Sequence, residues 1–260
     1  MSQDSIQHGD FTNLTREYSL YRAGYSDSIL TSVLAMVGKP LAEIDFVDVG
    51  AGTGIWTRMV AARCCGSVVA VEPNDAMRAQ GEEDSRDLPI AWRKGNGART
   101  GLSGASADLV TMASSFHWVD FDQGIEELTR ILRPGGWFAP LWNPRHLDES
   151  PVLLEIEGYI SELRPDIERI SSGRSGVTNG LTDRLWRTGK FDDVVYLENR
   201  HNRIVSRDSY IGAWRSANDV QAQLGPELFK EFLDRVTDRL KNMPEIETQY
   251  LTRCWAARRI

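Results

Sequence analysis

The stretch Phe46-Val47-Asp48-Val49-Gly50-Ala51-Gly52-Thr53-Gly54-Ile55-Trp56-Thr57 decides the fold. An apolar run from Ile44 to Val49 is long enough for a buried strand, and three glycines on alternate positions then lead into a segment with helical spacing. That order predicts strand, tight turn, helix. The turn needs glycine because the chain reverses sharply, some residues need positive φ, and a side chain would hold a ligand away from main-chain N–H groups. A second apolar run, Val68-Val69-Ala70-Val71, closes on Glu72. In a βαβ unit the acid that ends the second strand lies beside the glycine turn, where a carboxylate accepts hydrogen bonds from a ribose diol. Turn and acid together point to an adenosine-like ligand.

The glycine spacing narrows the choice. Dinucleotide-binding turns end in G-x-x-G, whereas Gly50, Gly52 and Gly54 give G-x-G-x-G and Ile55 stands where the third dinucleotide glycine would be. Asp48, two positions before the turn, can orient the loop or bind a cationic ligand, and it disfavours a pyrophosphate. These features favour S-adenosylmethionine over the nicotinamide cofactor that an oxidoreductase would require.

At these residues the chain resembles the class I S-adenosylmethionine-dependent methyltransferases, particularly the small-molecule group that includes trans-aconitate methyltransferase and the UbiE-like enzymes. The resemblance is carried by Asp48 to Gly54, Val71 to Met77, Gly95 to Ala98, Ser114 to Trp118 and Leu132 to Trp137, and it covers about Tyr18 to Asn143. It implies an α/β fold: a Rossmann-like, doubly wound, seven-stranded sheet with the last strand antiparallel. It also implies S-adenosylmethionine as donor and S-adenosylhomocysteine as product. The residues it places around the donor are Asp48, Gly50, Ala51, Gly52, Gly54, Trp56, Glu72, Pro73, Met77, Gly95, Asn96, Gly97, Ala98, Ala113 and Ser114. Asn96 replaces the acid of the family's Gly-Asp-Ala; its amide oxygen can still accept from an adenine amino group. Tyr18-Ser-Leu-Tyr21-Arg22-Ala23-Gly24-Tyr25 is similar to the family's opening segment, with Ala23 replacing the common proline. By that resemblance Tyr18, Tyr21 and Arg22 lie near the methionine carboxylate or the acceptor, where a guanidinium can hold a carboxylate through two parallel bonds.

The length of 260 residues fits one α/β domain with a modest insertion. The expected division is a helical lid over 1–40, the donor-binding half over 41–143, an insertion over the acceptor site at 144–190, and the remainder of the same domain over 191–260. A formal charge of −7 argues against a nucleic-acid surface, and the basic run Arg253 to Arg259 reads as a strand end. No apolar run is long enough to span a membrane and no secretory pattern opens the sequence, so the expectation is a cytoplasmic protein. Cys64 and Cys65 are adjacent and Cys254 is remote, which offers no metal-ligand spacing.

The first helical pattern, with Phe11, Leu14, Tyr18, Tyr21 and Tyr25, is either a core face or a lid whose aromatics could equally serve a subunit contact in a homo-oligomer. Pro140 sits inside the expected fifth strand, Trp137 to Trp142, and predicts a bulge or an early end. His117 follows the fourth strand and is either a core histidine or a group that binds ligand or removes a proton. The candidate acceptor walls are Phe11, Tyr18, Phe116, Trp142 and Trp214, with core packing as the alternative for the tryptophans. The expected function is methyl transfer to nitrogen or oxygen of a small organic acceptor, such as a natural-product (antibiotic) intermediate. A regulator or scaffold that binds the donor without turnover is the other reading.

Overall fold

The computed structural model describes residues 14–63, 65–168, 176 and 178–260; Phe11, Cys64 and most of the Ser171 to Gly176 loop lie outside them. Five parallel strands form the body of the sheet: β1 (Asp45–Val49), β2 (Ser67–Val71), β3 (Ile90–Arg93), β4 (Ala107–Ala113) and β5 (Leu132–Trp142). Their order is β3-β2-β1-β4-β5, followed by β8 (Glu245–Arg259) antiparallel to β5, and by β7 (Phe191–Ser206) antiparallel to β8. The strand order reverses between β1 and β4, so the loops after those two central strands open a crevice beyond their carboxyl ends.

Alternation along β1 sends side chains to two helical layers. Val47 and Val49 meet α5 (Phe121–Ile131) and α7 (Leu181–Arg187), while Phe46 meets α2 (Asp27–Met36) and α3 (Ile55–Ala61). The run is apolar because both faces are covered. Asp48 shares the α3 side with Phe46, which puts its carboxylate against the first turn of that helix. A third apolar cluster forms a cap beyond the sheet: Leu153, Ile156 and Ile160 of α6 (Pro151–Leu163) pack with Tyr210, Ile211 and Trp214 of α8 (Arg207–Arg215) and with Val220, Phe232 and Val236 of α9 (Asn218–Arg239).

The sheet has eight strands where seven were expected. The extra one, β6 (Arg145–His146), meets β8 in the register that β5 already holds, Trp142↔Arg253 being continued by Arg145↔Tyr250. It is the far end of β5, interrupted at Asn143-Pro144. Pro140 ends nothing: β5 passes through it in register with Met112, and the ladder to β8 lacks a pair at Ala139 and Pro140, where the missing donor is accommodated. The segment 144–190 packs in two places. Its α6 joins the cap, but Leu181 and Leu185 of α7 pack on the sheet. The first helix is shorter than its aromatic period suggested: α1 covers Thr15–Tyr21, and Arg22 to Tyr25 form no helix. α9 is two helical segments, 218–224 and 226–239, that meet at a kink at Gly225, whose φ is 73°. Arg253 to Arg259 belong to β8, as a strand end should.

Candidate active site

Gly50, Gly52 and Gly54 take φ values of 71°, 59° and 77°, the left-handed region that side chains disfavour. At Gly50 a Cβ would come within 2.6 Å of Ser115, whose hydroxyl donates to Val49 O at 2.8 Å. At Gly52 the nearest atom to a Cβ would be the Met77 methyl at 3.9 Å, so this glycine keeps a surface open rather than a contact tight. The Asn74 side chain caps α4 (Asp75–Asp84) by accepting from Met77 N–H at 3.0 Å, which sets Met77 under the turn.

The turn does not present bare N–H groups as expected. Gly50 and Ala51 donate to Val71 O at 2.8 and 3.1 Å, Gly54 donates to Ala51 O, and Gly52 donates to Glu72 Oε2 at 2.8 Å. The other Glu72 oxygen accepts from Asn74 N–H at 2.8 Å. Both oxygens keep a lone pair for a diol. Burial pushes the Glu72 carboxyl above the usual range, against the two N–H groups and Arg78, which favour its charge. What the turn offers a ligand is close approach to backbone beside a fixed carboxylate.

Asp48 supports this arrangement from below and does not reach the cavity. Its two oxygens accept from Thr57 at 2.6 Å and Thr111 at 3.0 Å, and Thr111 accepts in turn from the Trp56 indole at 3.0 Å. Complete burial pushes its carboxyl up to about 7, against the two hydroxyls and with help from the charge of Glu72.

The turn, Glu72, Pro73 and Met77 form one end of a cavity of about 410 Å³. Of the expected site residues, Tyr18, Arg22, Gly50, Ala51, Gly52, Trp56, Asn96, Gly97, Ala113, Ser114, His117, Trp142 and Trp214 also line it. Tyr21, Gly54, Gly95, Ala98 and Phe116 do not. Tyr21 turns to α8, where it fills the space over Gly212; Gly54 and Gly95 pack closely on Trp92 and on Thr100. Phe116 is core, with ring centroids 5.8 Å from Phe121 and 5.2 Å from Phe138. Asn96 uses its amide oxygen locally, accepting from Ala98 and Arg99 N–H at 3.0 and 2.8 Å. That leaves its NH2 as the group for a base edge, and it takes up the Ala98 donor as well.

Ser114 directly follows β4 with φ 55°, unusual for a residue with a side chain, and is held there by its N–H to Leu141 O at 2.7 Å and by the Tyr25 hydroxyl at 2.9 Å. Three residues on, His117 Nδ1 lies 3.3 Å from the Trp142 indole nitrogen. An indole N–H only donates, so Nδ1 is an acceptor and a neutral ring carries its proton on Nε2. Asn143 closes the wall: its NH2 donates to Gly24 O at 3.0 Å, and its oxygen accepts from the Thr252 hydroxyl at 2.7 Å.

The cap end of the cavity holds groups that the sequence did not single out: Arg145, Glu157, Asp219 and Tyr250. Arg145 lies over the Trp214 ring, 4.1 Å from its centroid, with Glu157 at 3.9 Å. These residues are far apart in the chain and no local spacing links them; an arginine three residues past the expected fifth strand was the one available signal.

Residues 47–139 match the family described as a methyltransferase domain. An uncharacterized methyltransferase of Mycobacterium tuberculosis is 36% identical over 110 residues, which are 41% of this chain and 42% of the relative, so the match spans about two fifths of that protein's length. A probable S-adenosylmethionine-dependent methyltransferase of Saccharomyces cerevisiae is 27% identical over 206 residues, 72% of this chain and 67% of its own. In three dimensions, a provisionally assigned type II methyltransferase from Anaeromyxobacter dehalogenans superposes with a TM-score of 0.63 at 20% identity, over 92% of this chain and 98% of that one. The matched segment and the Rossmann-like fold are what this chain shares with those methyltransferases. Among the described residues no helix is long and apolar enough to cross a membrane.

Proposed function

We propose that the chain transfers a methyl group from S-adenosylmethionine to nitrogen or oxygen of a small organic acceptor, within the small-molecule group of the family and with a natural-product intermediate as the substrate type. The observation that carries this reading is the Glu72 carboxylate, fixed by Gly52 and Asn74 N–H groups at 2.8 Å with acceptor capacity left over, beside a turn that no side chain obstructs. Glu72 would hold the ribose, Asn96 and Met77 the adenine, and Arg22 the amino-acid end. When bound, the donor supplies an activated methyl on a sulfonium. The protein's share is to align the acceptor and exclude water, effects that together supply several kcal/mol, up to about 7–11. His117, Trp142 and the cap form the wall against which that acceptor would sit. In the neutral tautomer set by Trp142, Nε2 carries the proton and Nδ1 is engaged by the indole, so His117 would orient an acceptor as a donor rather than take its proton.

The test is Gly52→Val, which fills the open surface of the turn. Calorimetry with S-adenosylhomocysteine should show affinity reduced ~100-fold or more, with circular dichroism unchanged. Undiminished affinity in this variant would refute the assignment of the turn.

A further inference from the structure

His201 stands on β7, outside the cavity, yet it touches two of the cavity's walls. Strand register brings Arg145 of β6, Tyr250 of β8 and His201 into one row, and Thr252 and Asn199 face each other in the row beside it. Residues two apart on a strand share a face, so both rows look the same way. In the first row the His201 ring stacks on Tyr250, with centroids 5.7 Å apart and planes at 24°. Tyr250 lines the cavity and bonds Arg145. In the second row Thr252 Oγ1 accepts from Ser26 N–H at 2.9 Å and donates to Asn143 Oδ1 at 2.7 Å, while the Asn143 NH2 donates to Gly24 O at 3.0 Å. The Ser26 hydroxyl donates to Asn199 Oδ1 at 2.8 Å. These bonds hold the strap from Gly24 to Ser26, which lies outside helix and strand and so needs partners of this kind for its backbone. Tyr25 within the strap holds Ser114, and Tyr18 and Arg22 precede it on the cavity wall.

His201 Nε2 lies 3.0 Å from Asn143 Oδ1 and 3.2 Å from Thr252 Oγ1. With the Asn143 NH2 committed to Gly24, the oxygen that faces His201 can only accept, so Nε2 carries the proton. Burial, helped by the charge of Arg203, holds the imidazole's titration below its usual value, so the ring is neutral at pH 7 with Nδ1 bare.

Resting on the methyltransferase reading above, we infer that His201 is a positioning residue for donor binding: its Nε2–H fixes Asn143 and, through it, the strap that carries Tyr25, while its ring backs Tyr250. Two substitutions separate the bond from the packing. His201→Phe keeps a ring for Tyr250 and removes the donor, whereas His201→Gln gives up the ring and keeps an N–H donor. Calorimetry with S-adenosylhomocysteine on the full chain should show affinity ~10-fold weaker in His201→Phe and within ~2-fold of the parent in His201→Gln. Rescue by the donor and not by the ring is an outcome that packing alone would not give. Nitrogen NMR of the parent should show the histidine signal that His201→Gln lacks as the Nε2–H tautomer. Parental affinity in His201→Phe, a comparable loss in His201→Gln, or a neutral ring protonated at Nδ1 overturns the inference. If His201→Phe does not fold, the affinity of His201→Gln and the tautomer of the parent still decide. Failure of the parent chain to bind S-adenosylhomocysteine would instead strike the underlying reading.

Discussion

Tyr21 sits in a hollow that exists because residue 212 is glycine: a Cβ on Gly212 would lie 2.4 Å from Cδ2 of the Tyr21 ring. The relation matters because α1 buries no residue of its own. Its seat is Tyr21 on α8, the Ser19 hydroxyl against Asp84 of α4, and Arg22 donating to Ser216 O at 3.2 Å. Since Tyr18 and Arg22 line the cavity, displacing Tyr21 opens the site. Gly212→Ala should therefore weaken S-adenosylhomocysteine ~10-fold. Alanine is the better helix former, so α8 itself should lose little. Adding Tyr21→Ala removes the collision, and calorimetry on the double variant should show affinity closer to the parent than Gly212→Ala does. Parental affinity in Gly212→Ala would mean α1 is no lid.

Asp48 makes stability depend on pH. Its folded carboxyl titrates at about 7, well above the ordinary carboxylate range, so between that range and 7 the folded state holds a proton that the unfolded state has released. Stability is thus fullest below the unfolded value and is lost as pH rises through 7. Glu72, also raised, acts in the same direction, whereas His201, lowered by burial, acts in the opposite one. Asp48→Asn isolates the residue. Urea unfolding at pH 5 and pH 8 should show the parent losing a few kcal/mol more across that interval than the variant. Identical pH slopes in the two proteins would remove Asp48 from the account.

The donor end was legible in the sequence because its parts are local. A strand buried on both faces reads as an unbroken apolar run, and glycines at alternate positions announce a turn whose neighbour, Glu72, is itself at a strand end. Long-range pairing erased the other signals. Arg145, Glu157, Asp219 and Tyr250 converge only after β5 has been interrupted and the chain has returned through α8 and α9. Tyr25 kept the spacing of the aromatic stripe, yet it lies past the last residue of α1 and hydrogen-bonds Ser114. Phe116 stood next to the candidate histidine but alternates away from it into the core. The seven residues of α7 offered only Leu181 and Leu185 as an apolar pair, too little for a period. Pro226 opens the second segment of α9 directly after the kink at Gly225, where a proline normally marks a start, and it gave no sign of the segment 218–224 before it.

The bond between Trp142 and His117 gives the last prediction, because it assigns a proton. With the indole donating to Nδ1, the neutral imidazole is the Nε2–H tautomer, which nitrogen NMR distinguishes directly. Trp142→Phe removes the donor while keeping an aromatic ring, and the spectrum should then show both tautomers. The smaller ring leaves space beside Trp255, 5.8 Å away, so a loss of ~1–3 kcal/mol in stability accompanies it. That loss alone would leave the tautomer unchanged, which is why the spectrum separates a positioning role from a packing one. His117→Ala completes the pair: turnover should fall ~100-fold while S-adenosylhomocysteine affinity changes less than ~2-fold. Equal losses in both would move His117 from the acceptor's side of the cavity to the donor's, and a parent ring protonated at Nδ1 would show that Trp142 does not set its state.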